Sequence, residues 1–370
     1  MPRFSLSVLT VFALAITILG CAPATSRPSK SATESGKLTK EALRDRLDSA
    51  LQYTCENRRL DVNEQNAWQI IHGALAFGKE FTVLADGKEV SVINYALAGG
   101  KMKGWNFEKG DILDPKTGRR GVRALVEPGT MAGQGHADQW MGYLADCHLP
   151  LTQTIVVEGE EHTFEEYVRQ MELDVYRAHN REFSWTLMGI TAYRPSKHFW
   201  TAGDGSTWSI AKLVEEELSY DTDESPCGGT HRLYGLTMAR NRHVAGGGEL
   251  TGIWKKCDER IRAEVERAKQ SLNPDGSLSA RYLERPASHP DITAWMVSAG
   301  HVFEFLSAAV TDEQLHEPWM QTAALRLCEQ FEKTKHVEVE CDRLFHAAHG
   351  LVVYRNRAFG EKTYSPKPVK

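Results

Sequence analysis

The sequence predicts an all-α protein, an (α/α)6 toroid in which six inner helices are wrapped by six outer ones. Two patterns and one scarcity predict it. Charged-face helical segments alternate with segments that are apolar all round, and a helix without a polar face must be buried. A histidine recurs beside most of the apolar segments. Strand signals are few.

The elements follow in order. Residues 38–55 place Leu38, Leu43, Leu47 and Leu51 at helical spacing with charges between them. Residues 66–77 (NAWQIIHGALAF) are far more apolar. Phe81–Val92 predicts a hairpin turning at Asp86-Gly87. Residues 162–178 are amphipathic and residues 184–193 (SWTLMGITAY) nearly all apolar. Residues 206–220 and 251–271 are charged helices, each followed by greasier ones at 231–240 and 299–310. Residues 318–334 and 345–355 close the series in the same way. Glu215, Glu216 and Glu217 are expected on a solvated helix face.

The apolar segments share a motif. Ile71-His72-Gly73, Gly135-His136-Ala137, Thr230-His231-Arg232, Gly300-His301-Val302 and His346 through His349-Gly350 resemble one another, and the remaining unit, near Trp185, lacks the histidine. From His72 through His136, Trp185, His231 and His301 to His349 the steps are 64, 49, 46, 70 and 48 residues. Such recurrence marks a repeat architecture. Six units without an evident capping repeat favour a closed ring over an open solenoid, as one domain over residues 38–360 with a tail at 361–370.

The chain ahead of that domain reads as an export signal. Arg3 precedes an apolar stretch at residues 4–19, and Ile18-Leu19-Gly20-Cys21 follows. This resembles the bacterial lipobox, which implies a signal peptide over residues 1–20, cleavage before Cys21 and lipid attachment to its sulfur. Ala22 in place of Asp implies sorting to the outer membrane, facing the periplasm. Residues 21–37, rich in Ser, Pro, Thr and Ala, form a flexible tether. Six cysteines then remain, in a compartment that permits disulfides. Cys328 and Cys341 are the pair closest in sequence and the candidate bridge; buried thiols are the alternative. With 44 Lys+Arg against 49 Asp+Glu in 370 residues, no basic excess points to nucleic acid.

Residues Gln270–Ser277 (QSLNPDGS) resemble the Q-x-x-x-x-D-G-S turn of terpenoid cyclase and prenyltransferase-like α/α toroids. Cys227-Gly228-Gly229-Thr230-His231, Gly300-His301 with Glu304-Phe305-Leu306, and Ala347-Ala348-His349-Gly350-Leu351 resemble a group of uncharacterised exported bacterial proteins. The first likeness implies a fold. The acidic D-x-D-D of squalene cyclases is absent, Asp221-Thr222-Asp223-Glu224 being a different string. The second likeness implies no activity.

In a closed toroid, the ends of the inner helices line a central funnel where distant residues converge. His231, His301, His136 and Glu304 are the expected catalytic groups. His72, Cys227, Gly228, Gly229, Trp185, Tyr234 and His349 are the expected ligand contacts. A histidine in the first turn of a helix stays neutral beside the positive dipole end, suited to act as a base or ligand. Glu304, three residues after His301, is placed to orient or charge it. The competing reading is that these are packed core residues. Tyr193, Trp200 and Trp208 extend the candidate aromatic wall. No cofactor and no metal are expected. Zinc held by Cys227 and His231 is the alternative, but the glycines interrupt the helix such a pair needs, and spacing reveals no third ligand. No G-x-S-x-G elbow is present.

Three functions fit: a carbohydrate-active lyase or hydrolase with a His-lined funnel, a non-catalytic envelope protein binding a glycan, lipid or protein, and a terpenoid cyclase/prenyltransferase-like enzyme. The expected partners are a small-molecule or glycan ligand in the funnel and the membrane through the Cys21 lipid.

Overall fold

The computed structural model describes residues 39–178 and 182–366. Thr39–Lys370 form one compact unit. The signal segment, Cys21 and the tether lie outside the described residues.

The protein is mainly helical. The described residues contain twelve α-helices and four two-stranded hairpins. Helix α1 (Lys40–Asn57) is capped by Thr39, whose hydroxyl accepts from the Ala42 amide. Helix α2 (Ala67–Phe77) opens with a reciprocal cap between Asn66 and Gln69. The predicted hairpin is present as β1 (Thr82–Ala85) and β2 (Lys88–Ser91), turning at Asp86 and Gly87, both at positive φ.

That hairpin leads into α3 (Val92–Leu97), and the device recurs. β5 (Thr154–Val157) and β6 (Glu160–Thr163) lead into α5 (Phe164–Asp174), and β7 (Phe199–Thr201) and β8 (Thr207–Ser209) into α7 (Ile210–Leu218). Ser91, Thr163 and Ser209 end a strand and cap the next helix through their hydroxyls. The helices expected from residues 162 and 206 therefore begin later, because short strands occupy their first residues. β3 (Phe107–Asp114) and β4 (Arg119–Ala124) form the longest hairpin, ahead of α4 (Gln139–Asp146).

The other helices are α6 (Ser184–Tyr193), α8 (Thr230–Ala245), α9 (Gly252–Gln270), α10 (Ile292–Ala309), α11 (Pro318–Lys333) and α12 (Cys341–Phe359). The apolar segments are the buried ones: every residue of α6 from Ser184 to Thr191 and of α10 from Ser298 to Ala309 is buried. Helix α2 packs on α4 and α12, α4 on α6, α6 on α8, α8 on α10, and α10 on α12. Odd-numbered helices flank them: α1 lies against α11 and α12, α7 and α9 against α8. Residues 361–366 lie against α1, where Tyr364 donates to Asp48 at 2.7 Å and Lys362 pairs with the same carboxylate at 2.9 Å.

Two glycines allow the close contact between α10 and α12. A Cβ on Gly350 would sit 2.8 Å from the Glu304 amide nitrogen, and one on Gly300 would sit 3.0 Å from Ala347. Helices α10 and α12 approach backbone to backbone there, and no larger residue fits without a shift.

Two expectations are corrected. Cys328 and Cys341 are not bridged; both are free thiols. Cys328 faces α1, its sulfur against the Arg46 carbonyl, while Cys341 opens α12. Glu217 is not on a solvated face; it is 0% exposed. Its carboxylate accepts from the Phe183 amide at 2.6 Å and from Ser184 Oγ at 3.0 Å, and pairs with Arg232 at 2.7 Å. A charged residue is buried there because the start of α6 needs an acceptor for its free amide and Arg232 supplies the opposite charge. Removing one partner of such a pair strands the other in the core. Glu217→Ala is expected to lower stability by about 3–5 kcal/mol, read by chemical denaturation, with Glu216→Ala within about 0.5 kcal/mol of wild type.

Candidate functional site

The recurring histidines converge. Ring centroids of His136 and His231 are 5.6 Å apart, His231 and His301 5.1 Å, His301 and His346 4.0 Å, and His346 and His72 5.1 Å. Trp185, from the unit without a histidine, stands 4.9 Å from His231. Residues up to 274 positions apart in sequence thus share one cluster, drawn from all six buried helices or the loops that enter them.

The loop before α8 has the most constrained backbone. Cys227, Gly228 and Gly229 all have positive φ (52, 61 and 72°). Gly228 is required by Tyr282: a Cβ would lie 2.4 Å from its ring. Gly229 is required by Thr222, 2.2 Å from its own would-be Cβ. The glycines thus press against protein neighbours, and Tyr282 in turn hydrogen-bonds Cys227. Cys227 itself, a non-glycine residue in the left-handed region, is held there by its surroundings. His231 follows in the first turn of α8, as expected. Burial, reinforced by the charges of His301, His346 and His136, keeps it well below the usual imidazole range. It is 7% exposed, and neither ring nitrogen has a hydrogen-bond partner among the described residues.

His301 and His349 lie inside long helices, because α10 and α12 begin at Ile292 and Cys341, upstream of the expected starts. The helix-end argument therefore does not reach them. His301 Nδ1 donates to the Val297 carbonyl at 2.6 Å. Burial alone would lower its pKa, but the Cys227 sulfur, Glu304 and that carbonyl lift it to about 9. Glu304 does not hydrogen-bond His301, its expected partner. Its two oxygens accept instead from Nδ1 of His346 at 2.9 Å and Nδ1 of His349 at 2.6 Å, both on α12. Burial pushes Glu304 upward, yet the two imidazoles hold it well below the carboxylate range. Burial pushes His349 downward, and its bond to Glu304 outweighs that and raises it.

His72 is enclosed: Nδ1 faces the Trp68 carbonyl and Nε2 meets the Tyr143 hydroxyl at 3.1 Å. Tyr234 meets His349 edge to face, centroids 5.9 Å apart, and both line a cavity of about 530 Å3 away from Cys227. Tyr193 packs on Phe164, Trp200 on His198 and Trp208 on Phe183, outside the cluster of His72, His136, His231, His301 and His346.

A second cavity, of about 470 Å3, is lined by His136, Asp138 and Glu182. His136 precedes α4, and its Nδ1 donates to Glu182 Oε2 at 2.6 Å. The other Glu182 oxygen lies 4.0 Å from Nδ1 of His231. Asp138 accepts from Thr186 Oγ1 at 2.6 Å. Burial, opposed by that bond and aided by Asp174, raises its carboxyl to about 7. Glu182 was not singled out from the sequence. The signal was present: the one unit without a histidine carries Glu182 three residues before Trp185.

No family model, curated protein or solved structure matches this chain.

The buried imidazoles make stability pH-dependent. Burial holds His72 and His346 to about 4. Facing His72 are Tyr143 and His346, with His301 and Glu304 beyond. The unfolded chain binds a proton at His72 near the ordinary imidazole value of 6.5, whereas the native state binds it only near 4, so His72 costs stability as pH falls through that window. Asp138 and Glu217, both raised to about 7, titrate in the opposite sense. The variant difference isolates His72: the destabilisation caused by His72→Gln should shrink by about 1–3 kcal/mol from pH 6.5 to pH 4, measured by denaturant titration across that range.

Proposed function

We propose that this protein is an exported, lipid-anchored envelope enzyme, a glycan lyase or hydrolase built on a six-hairpin α/α toroid. The contacts of the buried helices in the order α2, α4, α6, α8, α10, α12 and back to α2 support ring closure. The signal-like segment and Cys21 support the envelope location. The observation that carries the chemistry is the meeting of His136, Glu182 and Asp138 on one cavity.

Their division of labour follows from their contacts. Glu182 accepts the Nδ1 proton of His136, which fixes the tautomer and leaves Nε2 with a lone pair. His136 is then the base. It takes a proton from a sugar carbon in elimination or from a water in hydrolysis. Asp138, protonated near neutral pH, gives its proton to the leaving glycosidic oxygen. His136 ends as an imidazolium and Asp138 as a carboxylate, and exchange with solvent returns both to their neutral starting forms. The lining of this cavity sets Arg123, Asp174 and Arg177 among apolar residues such as Val122, Leu125 and Met171, and those charged groups offer a sugar's hydroxyls hydrogen-bond partners that an isoprenoid chain would not use.

The test uses the domain without its tether and a panel of polysaccharides, reading unsaturated products and new reducing ends separately. His136→Gln and Asp138→Asn should each lower turnover by about 10²–10⁴-fold with an unchanged melting temperature. Asn is chosen because it tolerates the left-handed backbone of Asp138, φ 60°. Wild-type turnover retained by both variants would sink the assignment. Absence of turnover, with glycan binding intact in both, would favour the non-catalytic envelope protein.

A further inference from the structure

We propose that Cys227, His231 and His301 form a binding site for one transition-metal ion of the zinc class. Their donor atoms all lie within 4.8 Å of one another. The sulfur and two imidazoles are a borderline-soft set that selects zinc, cobalt or copper over calcium and magnesium. Three protein ligands leave a fourth position open, the pattern of a catalytic rather than a structural site.

Each ligand is prepared in its own way. His301 commits Nδ1 to the Val297 carbonyl, so Nε2 is the nitrogen turned to the Cys227 side chain; metal-bound histidines are ordinarily oriented by such a second bond. His231 has a carboxylate oxygen of Glu182 4.0 Å from Nδ1, which leaves Nε2 for the ion. Cys227 is pinned by the left-handed loop and by Tyr282.

The independent observation is His231. A 93% buried imidazole with both nitrogens unpartnered is expensive, because each unmade bond costs about 1–3 kcal/mol. Among the described residues no polar atom lies within hydrogen-bonding distance of either nitrogen, the Glu182 oxygen standing off at 4.0 Å from Nδ1. An ion between Cys227, His231 and His301 supplies the missing partner at the place where the polar atoms converge. The obstacle seen in the sequence disappears: the glycines do break the helix, but Cys227 and His231 meet at the loop-to-helix corner, and the third ligand arrives from α10, 70 residues on.

This inference does not rest on the glycan reading, since it concerns binding alone. The purified domain, stripped with a chelator and dialysed, is titrated with Co2+ and Zn2+. One equivalent of Co2+ should bind with a tetrahedral visible spectrum and a thiolate-to-cobalt charge-transfer band, and Zn2+ should displace it. Cys227→Ser should abolish the charge-transfer band, and His231→Ala should weaken Zn2+ binding by at least about 100-fold, both with native far-ultraviolet circular dichroism. Should either variant fail to fold, the wild-type spectrum decides alone. A folded wild-type chain that gives no charge-transfer band, or a band that survives in Cys227→Ser, would overturn the proposal. So would rapid alkylation of Cys227 undiminished by saturating Zn2+, which would mark a free nucleophilic thiol instead.

Discussion

A single ionised carboxylate, buried between two imidazoles, organises the centre of the molecule. Glu304 is 4% exposed, and such a charge is tolerated in a core only when its lone pairs are met. His346 and His349 meet them at 2.9 and 2.6 Å. That geometry requires α12 to lie almost on α10. Gly350 and Gly300 make it possible, because each opposes backbone or Ala347 on the partner helix where a side chain would not fit. The glycines of the recurring motif are therefore spacing elements. They let a carboxylate on one helix reach two histidines, one turn apart, on the next.

From this pair the electrostatics spread outward. His346 donates one hydrogen bond to Glu304, and its ring centroid lies 4.0 Å from that of His301. His301 is thereby placed between an anion behind it and the Cys227 sulfur in front. His231 and His72, without a carboxylate of their own within hydrogen-bonding distance, are held neutral by burial. Imidazoles of one sequence motif thus take up different charge states, and the Nδ1 acceptor alone does not decide which: His72 and His301 both face a backbone carbonyl, yet burial lowers His72 to about 4 while the Cys227 sulfur and Glu304 help to raise His301 to about 9.

Much of this was legible in the sequence, and the losses have physical causes. The apolar segments at 66–77 and 184–193 match α2 and α6 closely, because an unbroken apolar run of that length is too long for a strand and reads as a buried helix. The repeated histidines marked the cluster, and His136, His231 and His301 do meet. Two short hairpins, β5–β6 and β7–β8, were illegible, since strands of three or four residues followed by a Ser or Thr cap read as the first turn of the helix they precede. Glu304 was paired with His301 by helical spacing, whereas its real partners are across a helix contact that spacing cannot represent. Glu217 was read as solvated because its two glutamate neighbours in sequence suggested one surface; a helix turns 100° per residue, and the third glutamate faces inward.

The position of the site follows from chain direction. His136 and Asp138 precede α4, Glu182 precedes α6, and Cys227 precedes α8. Three successive buried helices therefore contribute their entry segments to one region, where unpaired backbone amides favour negative groups. Side chains on an entering loop can be re-aimed by one residue in the left-handed region, as Asp138 and Cys227 are. Helices α10 and α12 start farther upstream, so His301 and His346 reach the same region from mid-helix, where packing and not backbone freedom sets their direction. Loop-borne groups at the cavity and helix-borne groups beneath them meet at His231, which belongs to the first turn of α8 and touches both sets. A substitution on a loop would alter which proton moves; one beneath it would alter the charge that the whole cluster can hold.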